Sequence, residues 1–127
     1  MARVLLVEDD PDMRPLLEHM ILSGGHHVTP AANVTVGGML LEAQPFDLLV
    51  TDVNLPDGSG LVLADRATAA NLKALVVTGY GLRLGPGMLA PYKYLLKPVR
   101  APELIAAITE CLRASEPRPK AGEGETG

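Results

Sequence analysis

The sequence predicts an α/β domain, a five-stranded parallel sheet with helices on both faces. Three observations carry that prediction. Short apolar runs, continuous as in strands buried on both faces, alternate with segments whose apolar residues recur at helical spacing. The alternation repeats five times within 127 residues, a length that suits one domain. The polar residues that end the apolar runs would also gather at one edge of the sheet if the strands run parallel, and sites form at that edge in open α/β sheets.

Val4-Leu5-Leu6-Val7 is the first strand. A helix follows, with Met13, Leu16, Leu17, Met20 and Ile21 on one stripe; Asp10 is its expected cap and Pro11 its expected first residue. Pro15 fits less well, because it lacks a backbone donor one turn in. Gly24-Gly25 end this helix, and His27 to Ala31 reads as a weak second strand. Val36, Met39, Leu40 and Ala43 mark a second helix that stops at Pro45. Asp47 to Asp52 is the third strand, Leu61 to about Ala70 an Ala-rich third helix, and Ala74 to Thr78 the fourth strand. Gly79 to Pro91 holds Gly79, Gly81, Gly85, Pro86, Gly87 and Pro91, so the fourth helix is expected to be shortened or irregular. Tyr94 to Leu96 is the fifth strand. Pro102 opens the last helix, striped by Leu104, Ile105, Ile108, Cys111 and Leu112. Residues 1–114 form the domain; Ser115 to Gly127, rich in Pro, Gly and charge, reads as a disordered tail or the start of a linker. The strand order 2-1-3-4-5, flavodoxin-like, is the natural candidate, borrowed from known doubly wound sheets.

Composition narrows the function. Net charge is −4 and no basic stripe is present, so nothing argues for nucleic acid; aromatic residues are only 3 %, which disfavours base stacking. No apolar run approaches the roughly 20 residues that span a bilayer. Acidic residues interrupt the N-terminal apolar stretch, so no signal peptide is expected and the location is expected to be cytoplasmic. The single Cys111 reads as a packed core thiol, and His19, His26 and His27 as surface or edge residues without ligand geometry.

The acidic edge carries the chemistry. Two like charges about 4 Å apart cost about 4 kcal/mol at an effective dielectric near 20. Either a proton is shared or a cation sits among them. Mg²⁺ suits such a set, being hard, oxygen-seeking and ready to keep waters and a phosphate oxygen. Lys97 would balance the charge and contact phosphoryl oxygens, and the Thr78 hydroxyl could donate to one. Asp52 is the nucleophile candidate, since a carboxylate attacks phosphorus to give an aspartyl phosphate. Asn54, two residues later, could offer its backbone carbonyl to the metal. Each residue has a plainer reading alone: Glu8 and Asp9 as helix caps, Asp52 as a turn residue, Thr78 as a strand terminus. The set, in that order and each after an apolar run, is what points to phosphoryl chemistry.

Leu5-Leu6-Val7-Glu8-Asp9-Asp10, Asp52-Val53-Asn54-Leu55-Pro56-Asp57-Gly58, Thr78-Gly79 and Lys97-Pro98 together resemble the receiver domain of bacterial two-component response regulators. The resemblance covers Ala2 to about Ala114. It implies phosphotransfer from a sensor histidine kinase or a histidine phosphotransfer protein to Asp52, with Mg²⁺ (or Mn²⁺) bound by Asp9, Asp52 and the Asn54 carbonyl and by Glu8 through water. It further implies that Lys97 and Thr78 contact the phosphoryl group, that Thr78 and Tyr94 form a switch, that the Lys97–Pro98 bond is cis, and that a downstream protein reads the state. Such a domain catalyses at most its own phosphorylation and dephosphorylation and is not a turnover enzyme. The motif Val77-Thr78-Gly79-Tyr80-Gly81 is similar to that of a single-domain receiver subgroup with a mobile fourth helix. The altered fourth-helix face bears on dimerisation, with a homodimer as one arrangement.

Two other classes compete: a receiver-like interaction scaffold that works without phosphorylation, and a metal-dependent phosphatase. The phosphatase would place a second acid two residues after its nucleophile, where this chain has Asn54. A dinucleotide site lacks its G-x-G-x-x-G after the first strand. A phosphoryl group adds roughly −1.5 to −2 charge at the sheet edge, which predicts that residues 79–91 rearrange with Thr78. Amide hydrogen exchange in Gly79 to Ala90 is expected to slow on phosphorylation; unchanged exchange there would sink the idea.

Overall fold

The computed structural model describes residues 1–79 and 92–114. In chain order its elements are β1 (Arg3–Val7), α1 (Met13–Ser23), β2 (His27–Ala31), α2 (Val34–Ala43), β3 (Leu48–Thr51), β4 (Asn54–Leu55), β5 (Gly58–Ser59), α3 (Gly60–Ala69), β6 (Lys73–Thr78), β7 (Lys93–Leu96) and α4 (Ala101–Ala114). The main sheet is parallel throughout, in the order β2-β1-β3-β6-β7. This is the predicted 2-1-3-4-5 order. The sequence reading had no place for β4 and β5, an antiparallel ribbon pairing Asn54 with Ser59 and Leu55 with Gly58.

Alternation along each strand builds two cores. Val4, Leu6, Leu48, Val50, Leu75 and Val77 face α1 and α4, where Leu17, Ile21, Leu104, Ala107, Ile108 and Cys111 meet them. Leu5, Val7, Leu49 and Ala74 face the other way, against Leu63, Ala64 and Ala67 of α3 and the half-buried Val34, Leu40 and Leu41 of α2. Each fully buried aliphatic side chain contributes roughly 1.5–3 kcal/mol. The continuous apolar runs of β1, β3 and β6 are therefore what a sheet covered on both faces requires.

Local details bear out the helix start and refine one histidine. Asp10 Oδ1 accepts from the N–H groups of Asp12 (2.8 Å) and Met13 (3.0 Å), and the Asp10 carbonyl accepts from the Arg14 N–H (2.9 Å), so Asp10 caps the helix as expected, with Pro11 following it. The regular part of α1 begins at Met13, because Pro15 has no N–H to give to the Pro11 carbonyl. His26 is not a plain surface residue: its Nδ1 accepts from the Ala2 N–H at 3.1 Å.

Elsewhere the expected punctuation holds. Gly24 caps α1, and Gly25 takes φ +90° to turn the chain into β2. Asn33 accepts from the Val36 N–H (2.8 Å) to start α2, and Gln44 ends it before Pro45. Glu103 reaches back to the Arg100 N–H at 3.2 Å at the head of α4. In β2, the His27 N–H and the Ala31 carbonyl both bond towards β1 (2.8 and 3.0 Å). Backbone polarity alternates, so Pro30 turns its N-less side to the open edge, where a strand tolerates proline. The Lys97–Pro98 bond is cis. The predicted irregular stretch after Gly79 and the predicted tail after Ala114 lie outside the described residues.

Gly60 is the tightest point. A Cβ there would lie 1.7 Å from the Asp52 carbonyl oxygen and 2.5 Å from Thr51 Oγ1. The first residue of α3 thus rests on the backbone at the end of β3. Gly60→Ala is expected to lower stability by about 1–3 kcal/mol through forced backbone shifts, read as a reduced urea midpoint.

Candidate functional site

Three side chains reach one point because the sheet's hydrogen bonding runs one residue past the strands. The Glu8 N–H donates to the Ala31 carbonyl (3.0 Å), the Asp52 N–H to Val7 (3.1 Å) and the Lys97 N–H to Thr78 (3.0 Å). Each tie fixes the backbone of a residue just beyond the last position of β1, β3 or β7. Lys97 Nζ then lies 2.7 Å from Glu8 Oε1 and 2.7 Å from Asp52 Oδ2. Both carboxylates are buried, with Glu8 at 1 % and Asp52 at 5 % exposure. The remaining oxygens are also held: Asp52 Oδ1 accepts from the Val53 N–H (2.6 Å), and Glu8 Oε2 from the Asp10 N–H (3.2 Å).

Asp9 completes the group from the exposed side. One carboxylate oxygen from each of Glu8, Asp9 and Asp52 lies within 4.8 Å of the other two. An octahedral ion with bonds of about 2.1 Å needs oxygens about 3.0 to 4.2 Å apart, which small side-chain rotations would supply here. Three carboxylates against one ammonium leave two negative charges, which a divalent cation would neutralise. The residues present therefore fit Mg²⁺ in charge, donor type and spacing.

Burial sets the protonation balance. It pushes the Glu8 carboxyl up; the Lys97 bond and the Asp10 N–H pull it down by less, so the net direction is upward. Burial also pulls the Lys97 ammonium down, but its bonds to Asp52 and Glu8 outweigh that and hold it charged, above its ordinary value.

The structure thus brings Glu8, Asp9, Asp52 and Lys97 together. Thr78 is buried at the end of β6, tied to Lys97 through its carbonyl. Asn54 opens β4 and is exposed, two residues beyond Asp52. Tyr94 sits opposite Val76 on β7, about half exposed, and is not among the groups that Lys97 joins. The helix-cap reading of Glu8 and Asp9 is superseded, since Asp10 takes the donors ahead of α1.

Sequence reasoning missed three contributors. The Thr51 hydroxyl, fully buried, donates to the Asp52 carbonyl at 2.9 Å. Arg14 Nη1 donates to the Glu8 carbonyl at 3.0 Å and the Asp9 carbonyl at 3.4 Å, bracing the acidic turn from α1. Asp57 accepts from the first turn of α2 across 23 residues. Only Arg14 left a signal, a cation one helical turn beyond an acidic run.

The response regulator receiver domain family matches residues 4–109. The response regulator receiver protein CpdR of Brucella abortus is 38 % identical over 120 residues, covering 91 % of this chain and all of that protein. A CheY-like receiver domain from Methanospirillum hungatei superposes with a TM-score of 0.80 at 28 % identity, over 91 % of this chain and 96 % of the other. The receiver domain of the sensor histidine kinase PA1611 from Pseudomonas aeruginosa, solved with a magnesium ion in its active-site cleft, gives 0.78 at 25 % identity, over 88 % and 98 %.

The raised Glu8 pKa makes a pH prediction. The folded state binds more protons than the unfolded one from about the ordinary value of 4.5 up to the folded value. The contribution of Glu8 to the stability of the metal-free protein is therefore expected to be full below that window and to be lost as pH rises through it. Glu8→Gln is expected to flatten the slope in urea midpoints measured from pH 4.5 to 7; an unchanged slope would assign it elsewhere.

Proposed function

Because this chain belongs to the response regulator receiver family, whose members signal rather than turn over an external substrate, we propose that it is a phosphorylation-dependent signalling receiver with Asp52 as its acceptor. The observation that carries this reading is the Lys97 ammonium bridging buried Glu8 and Asp52 beside exposed Asp9. The donor is the phosphohistidine of a sensor histidine kinase or of a histidine phosphotransfer protein. An Asp52 carboxylate oxygen attacks phosphorus, the P–N bond breaks, and its electron pair stays with the departing imidazole.

Asp9, Asp52 and the Asn54 carbonyl would hold Mg²⁺, with Glu8 acting through water and Mn²⁺ as a substitute; the ion supplies charge neutralisation at the phosphoryl oxygens. Lys97 stays on the opposite side of the transferring group and stabilises the same oxygens. The preformed bonds to Lys97 and Val53 orient Asp52, so little reorganisation remains at the moment of transfer. The Thr78 hydroxyl donates to a phosphoryl oxygen once the group arrives. Its movement, with Tyr94 on the neighbouring strand and with residues 79–91, conveys the state to a downstream protein. Among the described residues no helix is long and apolar enough to cross a membrane, which is compatible with a cytoplasmic partner.

Intact mass spectrometry after incubation with Mg²⁺ and a small phosphodonor tests the proposal. Wild type is expected to gain one phosphoryl group and Asp52→Asn none. If wild type gains none, and cognate kinases also fail while Mg²⁺ still binds, the constitutive scaffold reading replaces it.

A further inference from the structure

The β4–β5 ribbon is too short to hold its own place. Two residues in each strand make a hairpin that is unstable alone, yet this ribbon begins at Asn54, the residue offered above as a backbone ligand. Its position must come from anchors outside it. Two are apolar or backbone in kind: Leu55 is buried in the core, and the Gly60 N–H donates to the Val53 carbonyl at 2.8 Å. The third is the Asp57 carboxylate in the turn of the ribbon. Its Oδ1 accepts from the Val34 N–H at 2.7 Å. Its Oδ2 accepts from the Thr35 N–H at 2.9 Å and the Thr35 hydroxyl at 2.6 Å.

We propose that Asp57 is a positioning residue for the metal site, clasping the Asn54-bearing ribbon to the first turn of α2. This rests on the receiver reading of the same edge. Three short bonds to one carboxylate at a helix N-terminus are charge-assisted and favoured by the helix dipole. Helix α2 already has its own cap: Asn33 takes the Val36 N–H through its side chain and the Gly37 N–H through its carbonyl. Asp57 therefore adds a cross-link between two parts of the chain 23 residues apart. Gly58, at φ +153°, completes the turn, and a Cβ on it would lie 3.6 Å from Val34 Cγ2 of the same helix end. With the ribbon fixed at its turn, and Val53 fixed at its base by Gly60, the Asn54 carbonyl between them has little freedom left.

The test is Mg²⁺ affinity of the full chain by titration calorimetry, for wild type, Asp57→Ala and Asn33→Ala. Both variants remove a cap from α2 and both lower its stability. Only Asp57→Ala is expected to weaken Mg²⁺, by about tenfold in Kd, as loss of a supporting partner behind a ligand does. The phosphorylation rate of Asp57→Ala with a small phosphodonor is expected to recover at saturating Mg²⁺. Equal Mg²⁺ affinity in wild type and Asp57→Ala, or equal weakening in both variants, would reduce Asp57 to a helix cap and overturn the proposal. If wild type itself binds no Mg²⁺, the receiver reading fails first and takes this inference with it. Should Asp57→Ala not fold, Thr35→Ala removes one bond of the clasp, and a Kd unchanged from wild type would count against it in the same way.

Discussion

Two carboxylates buried side by side need a cation, and in this protein that cation comes from the far end of the chain. Glu8 and Asp52 are held almost free of solvent, and the Lys97 ammonium lies 2.7 Å from each. Removing one partner from such a buried arrangement costs roughly 3–5 kcal/mol, because the charge left behind has no water. The register of the sheet serves this contact. Lys97 lies 89 residues from Glu8 and 45 from Asp52, so β7 must dock on β6, and β6 on β3, before the three groups can meet. Helix α4 covers that half of the sheet with Leu104, Ala107 and Ile108, which ties the apolar core to the polar contact at its edge.

The backbone around Asp52 is as constrained as its side chain. The N–H of Asp52 continues the β1 ladder, its carbonyl accepts from Thr51, and the space beyond that carbonyl is taken by Gly60. In the proposed role of Asp52 such fixing is useful, since orientation settled during folding is not spent again at each reaction. Fixing the Asp52 backbone in this way requires a residue without a side chain at the start of α3, a requirement set by packing and not by turn conformation.

Most of the fold was legible because burial on both faces writes continuous apolar runs into β1, β3 and β6, and Gly or Pro marks the ends of the helices between them. The site was legible as a set for a related reason: Glu8, Asp52 and Thr78 each end such a run, and Lys97 ends the short, more exposed apolar run of β7. The ribbon was not legible, because two-residue strands carry no periodicity and Leu55 is its single core residue. Nor was the role of Asp57, whose partners lie on another element, or of Thr51, whose hydroxyl looks like any β-branched strand residue. His26 belongs with these cases, since a ring nitrogen that accepts one backbone N–H leaves no pattern.

Pro30 has a consequence beyond the strand that carries it. A parallel sheet ends in a row of unpaired donors and acceptors, and such a row invites a strand from another molecule. On β2 the proline removes a donor from the outward-facing side of that row while leaving the inward ladder to β1 intact. Among the described residues the outer side of β2 pairs with no other strand, and the proline is expected to disfavour the edge-to-edge stacking that such a margin invites. One imino acid, one residue from the carbonyl that holds the Glu8 N–H, thus makes that margin a poorer template for a foreign strand.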